Sequence, residues 1–171
     1  MKTGRDKEVR RTGNLEEAAF LDLLRTVEVL SHPLAQLLRK YELSLTQYNV
    51  LRILRGSQDG LTCGEIAGRM IARDPDITRL LDRLEKRNLV ERARDTRDRR
   101  VVLTRITREG LALIADLDGP VRLAHARSLG HIGTERLAQL AGLLAVCRAT
   151  LDPVFRAISR YDDYRLIEIK H

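Results

Sequence analysis

The chain of 171 residues has no tryptophan, two phenylalanines and four tyrosines, so leucine and alanine must carry the packing of any core. Its only cysteines are Cys63 and Cys147. No stretch approaches the ~18 consecutive apolar residues of a membrane-spanning helix. The opening MKTGRDKEVRRTGNLEE lacks the apolar segment of a secretory signal. A cytoplasmic protein with reduced thiols and no membrane association is expected. No glycine-rich phosphate loop, nucleophile motif or paired-carboxylate signature occurs. His32, His125, His131 and His171 are scattered, with no Cys or Glu at metal-ligand spacing. The expectation is therefore no enzyme, no cofactor and no metal. Lysine is scarce too: 26 arginines stand against 5 lysines. That bias suits phosphate contacts, although genome base composition would produce it equally.

Hydrophobic residues make up 43% of the chain and charged residues 32%, a balance that folds rather than staying disordered. The formal net charge is +7 and the pI near 9.9, which points to a polyanionic partner. The charge is concentrated. Between Arg69 and Arg108, thirteen basic residues against seven acidic ones leave six of the seven net positive charges. The densest stretch is DTRDRRVVLTRIT, Asp95 to Thr107, where four charged residues run into a strand-like VVL.

Residues 1–13 are polar and basic and read as a flexible arm. A helix is expected over Leu15 to Tyr41, with Phe20, Leu23, Val27, Leu30, Leu34, Leu37 and Tyr41 on one face. Pro33 is expected to kink or split it. Ser44 with Gln47 makes a capping box for a helix that stops at Gly56, and Thr62 with Glu65 repeats the pattern. In DPDITRLLDRLEKRNLV, Asp74 is the expected N-cap, Pro75 the first turn, and Ile77, Leu80, Leu81 and Leu84 the buried stripe. Asn88 should end this helix in a left-handed conformation. Strands are expected at Val90–Ala93 and Val101–Arg105, then a helix capped by Thr107 and bent or broken at Gly119-Pro120. A last helix, Thr134 to Leu151, carries Leu137, Leu140, Leu144, Cys147 and Leu151 at alternating steps of three and four, a short coiled-coil-like seam.

Three short helices and a hairpin, flanked by long helices, read as a helix-turn-helix unit with a wing. The fold expected is mainly α with a small β-hairpin wing: a winged helix-turn-helix domain flanked by N- and C-terminal dimerisation helices. The segments are an arm at 1–13, an N-terminal dimerisation helix at 14–42, a DNA-binding domain at 43–108, C-terminal dimerisation helices at 109–152, and a tail of unassigned role at 153–171. In such a unit the last short helix enters the DNA major groove. Its outward residues are Pro75, Asp76, Thr78, Arg79, Asp82, Arg83 and Lys86. Arginines there can address guanine edges, and the threonine a thymine methyl or a phosphate. Asp76 and Asp82 either accept from cytosine or orient neighbouring arginines. At the wing tip, Arg97, Asp98, Arg99 and Arg100 can reach the groove alongside, with arginine favoured in a narrow minor groove. Asp98, two residues before Arg100 on one strand face, is expected to hold that guanidinium.

The segment ITRLLDRLEKRNLVERARDTRDRRVVLTRITREG resembles the signature of the MarR family of winged-helix transcriptional regulators. The matching residues are Asp82-Arg83-Leu84-Glu85-Lys86-Arg87, then Asp95, Asp98, Arg99 and Arg100, then Ile106-Thr107 and Gly110. Asn88 and Ile106 stand where the family has Gly and Leu. The resemblance extends over about Leu15 to Leu151. It implies a homodimer that binds a pseudo-palindromic double-stranded operator through two recognition helices and two wings, with Arg100 as the wing arginine of the minor groove. It also implies repression relieved by a small-molecule effector or by cysteine oxidation. The oxidation-sensing branch carries its cysteine in the first helix, where this chain has none.

Independently of the resemblance, Phe20, Leu23 and Val27 with Leu137, Leu140, Leu144, Cys147 and Leu151 form faces too apolar to leave in water, which supports dimerisation. An effector pocket is expected between these helices and the winged-helix block, with His32, Arg39, Tyr41 and Tyr48 as nearby polar or aromatic candidates. Cys63 lies in a helix's first turn, where a thiolate is favoured, but a small buried residue is the simpler explanation. Two other readings remain: a winged-helix module for protein assembly, and a nucleoid-type DNA binder of low sequence preference.

Overall fold

The computed structural model describes residues 14–71, 74, 76–96 and 98–160, with side chains as far as Ala149. The expected arm, Pro75, Arg97, the Leu151 side chain and the end of the tail lie outside the described residues. By internal contacts the chain forms two compact units, residues 1–126 and 127–171.

In the first unit, helix α1 spans Leu15–Arg39. Asn14 caps it, its side chain accepting from the Glu16 amide at 2.9 Å, and Glu16 and Glu17 favour the positive end of the helix dipole. Pro33 does not split it: the helix is continuous. The carbonyl that loses its donor belongs to Val29, an exposed residue, so water can satisfy it. The two halves of α1 differ. Leu34, Leu37, Leu38 and Tyr41 pack on the core, whereas Phe20 and Val27 are each 60% exposed. The helix ends through Glu42 at a φ of 55°, with the Leu43 amide donating back to the Leu38 carbonyl at 3.0 Å.

Both expected capping boxes form. Ser44 accepts from the Gln47 amide at 3.1 Å while Gln47 accepts from the Ser44 amide at 2.9 Å, which starts helix α2, Leu45–Arg55. Thr62 and Glu65 do the same for α3, Cys63–Arg69. Helix α4 runs Ile77–Lys86 and buries Leu80, Leu81 and Leu84. Its cap is Asp76, whose Oδ1 accepts from the Arg79 amide at 3.2 Å, and not the expected Asp74. Asp74 instead accepts from the Asp76 amide at 2.9 Å, shaping the turn before the cap.

Asn88 takes the expected left-handed conformation, at a φ of 54°. Strands β1 (Val90–Arg94) and β2 (Val102–Ile106) pair antiparallel from Val90 opposite Ile106 to Arg94 opposite Val102. Leu61 adds a bridge to Thr104, with backbone bonds of 2.9 and 2.8 Å, which ties the turn before α3 to the hairpin. No periodicity or motif around Leu61 announces this third partner.

Helix α5 spans Arg108–Leu129 and starts as expected at Thr107, whose Oγ1 accepts from the Gly110 amide at 3.0 Å and donates to the Asn88 carbonyl at 2.7 Å. Gly119-Pro120 does not break it. The carbonyl left without a donor is that of exposed Asp116, so solvent again replaces the lost bond. The core joins Leu38, Leu51, Leu54, Ile66, Leu80, Leu84 and Ile114, with Tyr48 its only buried aromatic side chain among the described residues.

The second unit holds the end of α5, a 3-10 turn at Gly130–Ile132, and helix α6 at Thr134–Arg160. This helix continues beyond the expected end at Leu151. Leu137 and Leu144 are half-buried and Leu140 and Cys147 exposed, while Leu143 and Val146 are 66% and 67% exposed. The apolar surface is thus wider than the seam read from the spacing.

Candidate nucleic-acid interface

The outward face of α4 presents Thr78, Arg79, Arg83 and Lys86 to solvent. These arginines are partly positioned by their own helix. Arg79 Nε lies 3.0 Å from Asp76 Oδ2, so Asp76 both caps the helix and holds the first arginine. Arg83 Nε donates to the Arg79 carbonyl at 3.1 Å. Asp82 has a different partner: it pairs with Arg92 of β1. The same guanidinium donates to Glu85, with Nε 3.0 Å from Glu85 Oε2. Two carboxylates one turn apart on α4 therefore grip one arginine of the wing. Of the two roles open to Asp82, orienting an arginine is the one it performs in this structure.

This latch has an electrostatic signature. The Arg92 hydrogen bond holds the Glu85 carboxyl below the usual carboxylate range, against an opposing effect of burial. Arg92 is shifted up, first by its bond to Glu85. A carboxyl lowered in the folded state adds stability above its unfolded pKa and loses it as the pH falls through its folded value. Thermal unfolding followed across pH should show declining stability below the ordinary glutamate value of 4.5. Glu85→Gln should decline less over that window, and equal slopes would contradict the latch.

The wing tip differs from expectation in one respect. Asp98 Oδ1 accepts from the Arg100 backbone amide at 2.9 Å, and the Asp98 carbonyl accepts from the Val101 amide at 2.9 Å. The carboxylate thus shapes the turn backbone rather than gripping the Arg100 guanidinium. A short acidic side chain two residues before an amide closes an Asx turn more readily than it reaches a long neighbour's head group. Arg99 and Arg100 remain exposed at the tip.

A second arginine, Arg87, anchors the far end of α4. Its Nη2 donates to the Tyr41 carbonyl at 3.1 Å and its Nη1 to the Glu42 carbonyl. It thereby satisfies carbonyls that the end of α1 leaves unpaired. Arg55 Nη1 bonds both Asp118 oxygens, at 3.0 and 2.8 Å, joining α2 to α5. Asn49 Oδ1 accepts from the Ile71 amide at 3.0 Å and so fixes the start of the loop leading to α4.

A family model described as the MarR family matches residues 43–102. The solved MarR transcription factor from Planctomyces limnophilus is 41% identical, over 78% of this chain and 97% of that one, with a TM-score of 0.61. This chain belongs to the MarR family. It is a transcriptional regulator of that family with a winged-helix fold. The HTH-type transcriptional repressor MdtR of Bacillus subtilis (strain 168) is 29% identical over 125 residues, 73% of this chain and 80% of the relative. The S. aureus MepR–DNA complex shares the fold, with a TM-score of 0.68 at 24% identity over 78% of this chain and 97% of that one.

In this MarR-family chain the four residues expected near an effector lie along α1, the turn that follows it, and α2. His32 is exposed, its Nε2 2.6 Å from Gln36 Nε2. Arg39 is exposed and Tyr41 half-buried against the core. Tyr48 is buried with the Arg52 guanidinium 5.9 Å from its ring centroid, and burial pushes its phenol up. A cleft of about 220 Å³ lies elsewhere, lined by Cys63, Thr78, Leu81, Arg92, Val102 and Thr104. None of the four lines it. Arg87 and Arg92 hold the surface together in a way that spacing does not predict, since each pairs across a turn or a whole helix. The one local hint was the acidic pair Asp82 and Glu85, set among basic residues one turn apart.

Proposed function

We propose that the chain is a sequence-specific DNA-binding repressor that acts as a homodimer on a pseudo-palindromic operator and is released by a small-molecule effector. The DNA-binding segment is 43–108, and residues 14–42 and 109–152 form the dimer. The observation that carries this is the Arg92 latch, which holds two exposed basic elements, the face of α4 and the Arg99-Arg100 tip, in one fixed relation. Major-groove reading by Thr78, Arg79, Arg83 and Lys86, with a wing arginine in the adjacent minor groove, needs such a relation. Asp76, Asp82 and Asp98 act as positioning residues for this surface. Pro75 and Arg97 flank it in sequence. The dimer is supported by the exposed apolar residues on α1 and α6, the repressor sign by the MdtR relative, and DNA as partner by the MepR complex.

Arg100→Ala tests the wing. Operator affinity should fall by roughly 1–3 kcal/mol, and the salt slope by about one charge, with the dimer intact. Fluorescence anisotropy across a salt series measures both. Unchanged affinity would reject the wing contact.

A further inference from the structure

Two arginines stand on the face of the wing that looks toward α4. Residues two apart on a strand share a face. Arg92 and Arg94 of β1 therefore point the same way, as do Thr104 and Val102, their partners on β2. Arg92, Thr104 and Val102 line the cleft together with Thr78 and Leu81 of α4, which gives that face its direction. The two rungs differ in depth. Thr104 is 1% exposed and Arg92 half-buried, whereas Val102 is 46% exposed and Arg94 lies in solvent. They differ in wiring too. Arg92 takes both carboxylates of α4, Asp82 and Glu85, and the cap residue Asp76 holds Arg79. Glu91 is on the other face of the hairpin, opposite Arg105. Among the described residues Arg94 makes no hydrogen bond or ion pair. Arg92 fastens the wing, and Arg94 is a cation beside it that the fold does not use.

Position points to what it binds. The Arg94–Val102 rung is the last before the turn that carries Arg99 and Arg100. It also faces the first turn of α4, where Thr78 sits. With α4 in the major groove and the tip in the adjacent minor groove, one sugar-phosphate strand separates the two and crosses the surface between them. That surface is the Arg94–Val102 rung. We propose that Arg94 binds a backbone phosphate of the DNA strand that divides the two grooves, with Val102 against an adjoining deoxyribose. A phosphate contact carries no base information but sets the register of the elements that read bases. Here it seats Thr78 and Arg79 on one side of the strand and Arg100 on the other. The inference rests on the proposed function and adds to it a residue outside the recognition helix and the wing tip.

The test compares full-length wild type with Arg94→Ala by fluorescence anisotropy across a salt series. Two labelled duplexes serve as probes, a fragment that the wild type selects from genomic DNA and a scrambled version of it. Arg94→Ala should bind both about tenfold more weakly per protomer engaged, the size of one charge-assisted hydrogen bond, with the salt slope lower by about one per protomer. Its thermal unfolding should match that of the wild type. A scan of single methylphosphonates, each removing one phosphate charge, reads the same contact from the DNA side with the wild-type fold intact. One position per half-site, between the bases of the two grooves, should weaken the wild type about tenfold and leave Arg94→Ala unchanged. Wild-type affinity and slope in Arg94→Ala, a loss on the selected duplex alone, or no methylphosphonate whose effect disappears in Arg94→Ala would each overturn the inference while the proposed function stands. A wild type that binds neither duplex would overturn both.

Discussion

Gly110→Ala is expected to destabilise the winged-helix unit by about 2–4 kcal/mol, an overpacking cost at the upper end of its usual range. A Cβ at this position would lie 2.2 Å from the Leu89 carbonyl oxygen, 2.8 Å from Ile106 Cγ1 and 3.1 Å from the Leu89 carbonyl carbon. The nearest neighbour is backbone, and it is held. The Leu89 carbonyl accepts from the Thr107 amide at 3.1 Å, while Thr107 Oγ1 ties the Gly110 amide to the Asn88 carbonyl. Relief of the clash would break this cluster, which joins the end of α4, the start of the wing and the start of α5. Alanine's better helix propensity recovers at most about 1 kcal/mol. Urea denaturation measures the difference. A variant as stable as the wild type would contradict the close approach of α5 to Leu89.

Leu144→Asp is expected to abolish the proposed dimer and with it tight operator binding, a larger loss than that of Arg100→Ala. On α6, Leu140, Leu143 and Val146 are exposed and Leu137 and Leu144 half-buried; on α1, Phe20, Leu23, Leu24, Val27 and Val29 are exposed. Each such side chain buried by a second copy contributes roughly 1.5–3 kcal/mol. A carboxylate in that interface carries a desolvation cost of several kcal/mol with no partner charge, and two-fold symmetry applies it twice. Separated half-site binders also lose the effective concentration that linkage provides. Sedimentation velocity reads the outcome directly. A fully dimeric Leu144→Asp protein would reject α6 as an interface.

The parts of this structure legible in the sequence are those decided within a few residues. The capping boxes at Ser44 and Thr62, the left-handed Asn88, the Thr107 cap and the buried stripe of α4 all depend on neighbours in the chain. Expectation and structure part where two local answers are equally good or where solvent removes the penalty of a break. In DPD both aspartates can cap, and the helix begins after the second. Pro33 and Pro120 each remove a hydrogen-bond donor, but the carbonyls affected sit at exposed positions and the helices continue. The spacing of Asp98 and Arg100 predicts a guanidinium partner, and the carboxylate instead accepts from an amide.

The candidate site was legible in its composition but not in its wiring. The basic faces of α4 and of the wing follow from charge and period. Their linkage through Arg92 to Asp82 and Glu85, ten and seven residues away, depends on how the hairpin folds back, as does the reach of Arg87 to carbonyls 45 and 46 residues away. The cleft under the wing depends on the Leu61–Thr104 bridge, which no periodicity announces.

The most direct measurement is selection of bound fragments from genomic DNA by the purified full-length protein at physiological salt, followed by sequencing. The account predicts recovery of a single inverted-repeat motif with half-sites about 10 bp apart, centre to centre, held about 10³-fold or more tightly than random DNA. Recovery of fragments with no shared motif, or of none, would contradict a specific dimeric regulator that reads DNA through α4 and the wing.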